Sequence, residues 1–170
     1  MNSILKISVL LYFFLLNGGQ NNASNSLVLE KVPLVFKGKV TAIKDGDTFK
    51  VLYNGSERTV RLLHIDCPEK KQAFGTKAKQ FAANLCFGKI VTVKTEGKAD
   101  RYKRILGEII LPNGTNVNKE LVKNGLAWHF KKYSKDAAYA KLEIQARKNR
   151  VGLWADKLPI APWEFRKIKK

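Results

Sequence analysis

Cysteine and histidine are scarce in this chain of 170 residues. There are two of each, Cys67 and Cys86, His64 and His129. No set of them has zinc spacing, and the two histidines lie far apart in sequence. Two cysteines leave one disulfide open if the chain is exported. Cys86 stands beside Leu85 and Phe87 on the apolar face of an expected helix, where a buried free thiol is common. Sequence gives no Cα separation to decide between the two states. Long apolar runs are missing too. The one apolar block, Ile7 to Leu16, is shorter than the ~20 residues a membrane-spanning helix needs. No internal repeat or low-complexity linker appears, and the length suits one domain with a single core.

Acid is the most informative shortage. The chain carries 14 Asp and Glu against 32 Lys and Arg, a formal charge of +18. Four of those 14 acids fall in two short clusters, Asp45-Gly46-Asp47-Thr48 and Asp66-Cys67-Pro68-Glu69. A basic surface attracts a polyanion, and an acidic pocket within it can hold a divalent cation. The pattern points to a metal-dependent enzyme acting on nucleic acid.

The N-terminus reads as a secretory signal peptide over residues 1–23. Lys6 precedes the apolar block, and the small polar run Asn17 to Ser24 follows it. A secreted or periplasmic protein is expected, without stable membrane association once the signal is removed, and a monomer. Removal takes away Lys6 alone, so the charge of +18 becomes +17. Residues 24–36 read as a tail and residues 156–170 as a basic C-terminal tail. The domain between them spans residues 37–155.

Within that domain, alternating apolar and polar residues predict a strand over Lys37–Lys44. Further strands are expected at Thr48–Tyr53, Glu57–Ile65, Ile90–Thr95 and Arg104–Leu111. Ala78, Phe81, Ala82 and Leu85 share a face at helical spacing, which predicts a helix over Phe74–Phe87. A short helix is expected at Val117–Asn124. A longer one should start at an Ser134 N-cap and run to about Asn149. Five strands and three helices in this order make an α+β domain, a five-stranded, partly open OB-fold β-barrel.

Asn54-Gly55 is a two-residue hairpin signal. It pairs Tyr53 with Ser56, which sets Thr48 opposite Arg61 and Asp47 opposite Leu62. Asp47 and Arg61 then become neighbours within ~5–8 Å, although fourteen positions apart in sequence.

Asp47 and Asp66 are the candidate metal ligands, with a main-chain carbonyl such as that of Cys67 and water completing an oxygen shell. Glu69, held just past a rigid Pro68, is the candidate general base. Arg61 and Arg104 are the candidate phosphate clamps, since guanidinium meets phosphate in a planar fork and stays charged. Arg101, Tyr102 and Tyr133 lie where aromatics and basic residues interleave, as in surfaces that contact nucleic-acid chains. Each of these also has a plainer reading. Asp45-Gly46-Asp47 is a common turn, Asp66 a strand-end cap, Glu69 a surface partner of Lys70 or Lys71, and the tyrosines packing residues.

The motifs in order carry more than any one of them. Asp45-Gly-Asp-Thr48, Arg61-Leu-Leu-His-Ile-Asp-Cys-Pro-Glu69, Asp100-Arg-Tyr-Lys-Arg104, Val117 to Ala127 and Gly152-Leu-Trp154 follow one another along the chain. Over about residues 37–155 it resembles the staphylococcal nuclease (thermonuclease) family. The resemblance implies an OB-fold barrel with three helices and a Ca²⁺-dependent phosphodiesterase that asks little of DNA or RNA sequence and leaves 3′-phosphate ends. It assigns Asp47 and Asp66 as calcium carboxylates, Cys67 as a carbonyl donor and Glu69 as the proposed base. Arg61 and Arg104 match the phosphate-binding arginines, and Tyr102 a nucleotide-contacting tyrosine. Cys67 stands where the best-known member has Thr, Lys103 replaces a glycine, and the segment after Glu69 is short. The alternative on the same fold is a non-catalytic nucleic-acid-binding module, which would be expected to lose these acids and arginines.

Overall fold

A computed structural model describes residues 32–168. The expected signal peptide lies outside them. Five strands close a barrel in the order β1-β2-β3-β6-β5. They are β1 (Val35–Asp45), β2 (Thr48–Tyr53), β3 (Ser56–Leu62), β5 (Ile90–Ala99) and β6 (Ile105–Ile110). Neighbours run antiparallel except β3 and β6, which pair in parallel with Val60 against Ile105. Alternation along the strands turns Phe36, Val40, Val51, Val60, Val93 and Ile109 inward, where all are buried. Register shifts in β1 after Val40 and after Ile43 bend that strand around the barrel.

Three helices cover the barrel as expected. They are α1 (Gly75–Cys86), α2 (Val117–Lys123) and α3 (Ala137–Lys148). Ala78, Ala82 and Cys86 of α1, Leu121 of α2 and Tyr139 of α3 are wholly buried. Asn118 of α2 is buried as well. It accepts from Ile109 N–H at 3.1 Å and donates to Leu63 O and Gly107 O at 3.1 and 3.3 Å, tying α2 to both parallel strands. Cys67 and Cys86 are both free and buried.

Four differences from the sequence reading have physical causes. The strand expected over Glu57–Ile65 ends at Leu62, because His64 takes the left-handed region at φ 69°. Ile65–Asp66 then forms a separate β4, paired with β7 at Trp128–His129. Ser134 does not cap α3. Asp136 does, its Oδ1 accepting from Ala138 N–H at 2.7 Å. The Ser134 hydroxyl sits instead between His64 Nδ1 at 2.9 Å and His129 Nε2 at 3.0 Å. Finally, a fourth helix, α4 (Pro162–Ile168), stands where only a basic tail was expected. Pro162 at its start, Glu164 in its first turn and Arg166 and Lys167 in its last are the signals that could have found it. Among the described residues no helix is long and apolar enough to cross a membrane.

Candidate active site

The hairpin forms as its turn residues dictate. Asn54 and Gly55 both have positive φ, 47° and 73°, the requirement of a twisted two-residue turn. Tyr53 faces Ser56 and Thr48 faces Arg61, and Leu62 N–H donates to Asp47 O at 2.9 Å. That register brings Arg61 Nη1 to 3.0 Å from Asp47 Oδ2. The break after Leu62 then swings Asp66 in from the other side, its Oδ1 2.8 Å from Arg61 Nη2. Arg61 Nη1 also donates to the Leu62 and Ile65 carbonyls on either side of the break, at 3.0 and 3.1 Å. Arg61 thus meets Asp47, as the hairpin register predicts, and Asp66 as well, which sequence did not foretell.

Gly46 makes the first acidic cluster possible. A Cβ there would lie 2.8 Å from Cys67 Cβ, Cys67 Sγ and Ala78 Cβ. Only a bare backbone lets the Asp45–Asp47 turn press onto the Cys67 segment. Cys67 N–H then donates to Asp47 Oδ2 at 2.7 Å. Asp45 serves as the turn residue, accepting from Asp47 N–H at 3.2 Å.

Asp47 and Asp66 are 5% and 1% exposed. Burial pushes the Asp47 carboxyl up to about 7, Arg61 pulls it down, and Asp45 and Asp66 add repulsion. Burial alone would lower the Arg61 guanidinium, but Asp47 and Asp66 hold it above its ordinary value. Burial also pushes the Cys67 thiol up, with the Asp47 charge adding to it, so the side chain stays a neutral thiol.

Glu69 follows Pro68 at the edge of this pocket, with its side chain 41% exposed. Its partner is neither Lys70 nor Lys71 but Arg166 of α4, Nη1 to Oε1 at 2.7 Å. Arg166 Nη2 also meets Asp66 Oδ2 at 2.7 Å, and its Nη1 lies 3.4 Å from Asp66 Oδ1. One guanidinium therefore touches both Asp66 and Glu69. Burial alone would lower Arg166, and the two carboxylates raise it.

The parallel pairing of β3 and β6 sets Val60 against Ile105, so Arg104 lies just before the strand next to Arg61. Its Nε and Nη2 hold Asp100 Oδ2 at 2.8 and 2.7 Å. Burial alone would raise the Asp100 carboxyl, but hydrogen bonds from Arg104 and Tyr102 hold it below its ordinary value. Tyr102 is 63% exposed, with Arg101 and Arg104 over its ring at 4.8 and 5.3 Å. Lys103 takes φ 60°, a conformation that favours glycine, so the lysine holds a backbone shape that a glycine would adopt without strain. Tyr133 is also exposed and stands edge-on to Phe130. It borders a cleft of about 490 Å³ that includes Trp128, Phe130, Trp163 and Arg166. The expected residues thus fall into three places. Asp47, Arg61, Asp66, Cys67 and Glu69 meet in one pocket. Arg101, Tyr102 and Arg104 sit on a neighbouring loop, and Tyr133 lines the aromatic cleft.

The pocket suits a hard divalent cation. Asp47 and Asp66 offer oxygen donors only, both buried and both already turned to one cation, Arg61. Among the described residues no group of three or more His, Cys, Asp and Glu gathers as a metal site. An ion here therefore needs carbonyl, water and substrate oxygens to complete its shell, as two carboxylates imply.

Comparison with known proteins shows the family. The family model described as staphylococcal nuclease homologue matches residues 59–156. An uncharacterized endonuclease of Escherichia coli is 41% identical over 132 residues, covering 78% of this chain and 86% of that protein. A micrococcal nuclease of Shigella flexneri is 42% identical over 145 residues, covering 79% and 83%. An uncharacterized endonuclease of Haemophilus influenzae is 42% identical over 133 residues, covering 78% and 74%. The chain belongs to the family of staphylococcal nuclease homologues.

Proposed function

We propose that this nuclease is a calcium-dependent phosphodiesterase of low sequence specificity, acting on DNA or RNA and leaving 3′-phosphate ends. The observation that carries the reading is the span of Arg166. Because one guanidinium reaches both Asp66 and Glu69, the candidate metal carboxylate and the candidate base flank the same small space. Asp47, Asp66 and the Cys67 carbonyl are the groups that would hold calcium. Bound there, the ion supplies charge neutralisation at the phosphate.

Glu69 takes a proton from the water that attacks phosphorus. The bond from phosphorus to the 5′ oxygen breaks, the phosphate stays on the 3′ side, and the departing 5′ oxygen is protonated. Arg61 and Arg104 face the non-bridging oxygens, where charge grows in the transition state. Asp100 keeps the Arg104 guanidinium aligned through two short bonds. Arg101, Tyr102 and Tyr133 contact the flanking chain. The signal-like residues 1–23 support export before activity.

A plasmid and an RNA incubated with calcium, then with a chelator, test the reading. Cleavage that stops on chelation is expected, whereas retention without cutting belongs to a binding module. Glu69→Gln should keep nucleic-acid binding and lose about 10²–10⁴-fold in cleavage rate. Equal rates for the variant and wild type would remove Glu69 from the role of base.

A further inference from the structure

We propose that α4 is an autoinhibitory latch, whose Arg166 holds the Asp66 and Glu69 carboxylates that calcium and water need. The inference rests on the calcium reading of Asp66 and Glu69 above and assigns a regulator to that site. α4 lies beyond residues 59–156, the part matched by the family model.

Three contacts seat α4. Gln72 Nε2 donates to Ile160 O at 2.6 Å, while Gln72 Oε1 accepts from Glu69 N–H at 3.1 Å. One side chain thus joins the lead-in of α4 to the backbone of the expected base. Trp163 stacks parallel on Phe130, centroids 5.2 Å apart at 4°, and meets Trp128 edge-on. It joins these two rings as a wall of the aromatic cleft that Tyr133 also lines, on the kind of surface that stacks bases. Arg166 completes the set with its two carboxylates. One short helix so sets a cation on the acids Asp66 and Glu69 and a ring on the aromatics Phe130 and Trp128.

The latch is built to open. Seven residues do not make a helix that holds by itself in water. The Arg166 side chain is 44% exposed, so solvent screens its pairs. Asp66 has two cations on it, Arg61 on Oδ1 and Arg166 on Oδ2, so release of Arg166 clears Oδ2 for a third. Calcium binding and latch closure therefore compete for the same lone pairs, and the apparent calcium affinity falls by the fraction of molecules that are open.

Calcium titration calorimetry on the full chain tests this, with wild type, Arg166→Ala and Arg166→Lys. Arg166→Ala should bind calcium about three- to tenfold more tightly. Arg166→Lys, which keeps the charge but loses the two-pronged grip, should shift the same way. Calcium should change the tryptophan emission of wild type, and Trp163→Phe should lose that change. If wild type binds calcium and Arg166→Ala binds no more tightly, the latch is overturned while the calcium reading stands. A tighter Arg166→Ala beside a Lys variant identical to wild type also overturns it, since charge alone then explains the gain. Absence of calcium binding in every form overturns both readings.

Discussion

Gly46 shows how one residue without a side chain can organise several that have them. Its backbone lies against Cys67 and Ala78, closer than any Cβ could approach. Gly46→Ala forces the Asp45–Asp47 turn away from the Cys67 segment. We expect about 1–3 kcal/mol of lost stability, as for other overpacked sites. Urea unfolding reads that loss, and calcium titration should show weakened binding because Asp47 moves with the turn. Arg61 makes the converse point. Its charge and its nearness to Asp47 were plain in the sequence, but its second partner, Asp66, was not. Only the strand register and the break after Leu62 put it between Asp47 and Asp66.

At the scale of elements, the pocket depends on a two-residue strand. β4 carries Asp66 and is held by β7, and both are linked to the start of α3 through His64, Ser134 and His129. His129 is buried, and it faces Ser134 and Tyr139 with the charges of Glu143, Lys131, His64 and Asp136 around it. Burial lowers its pKa in the fold, Glu143 opposes, and Lys131 and His64 add to the lowering. A depressed folded value favours the neutral ring in the native state. The contribution to stability is thus complete above the unfolded value near 6.5 and is lost as pH falls through the lower folded value. Urea midpoints should therefore drop for wild type as pH goes from about 7.5 to below 6. His129→Gln should flatten that slope, and an unchanged slope would place the acid sensitivity elsewhere. Helix ends were less legible than helix bodies. Ser134 and Asp136 both suit an N-cap by residue type, and the choice fell to Asp136 because the two histidines take the Ser134 hydroxyl.

For the whole molecule, charge is the dominant property. The chain carries a formal charge of +18, while Asp47, Asp66 and Glu69 gather in one pocket. Such a charge draws nucleic acid by counterion release, so binding must weaken steeply with salt. With six or more phosphate contacts, affinity should fall on the order of 10³-fold between 50 and 200 mM salt, measured with Glu69→Gln to prevent cleavage. A flat response would argue against a phosphate-based interface. The same charge has an internal consequence. A chain so rich in Lys and Arg can supply a cation to its own acidic site, and Arg166 does so from α4.

The barrel was legible because its signals are local. Alternation marks strands, Asn54-Gly55 fixes one hairpin register, and helical spacing marks α1. The acids were legible because they are rare in a basic chain, and the ordered motifs tied them to a family. What sequence could not give were contacts across many positions that no period encodes. Arg166 reaches Asp66 across 100 positions and Glu69 across 97. The parallel pairing of β3 with β6 is likewise set by closure of the barrel. The sequence by itself determined the strands, the hairpin register and the candidate acids, because each depends on neighbours along the chain. The tertiary structure alone decided that Arg61 also meets Asp66 and that Arg166 meets Asp66 and Glu69, because burial removes water and leaves each carboxylate to whatever charge the fold brings near.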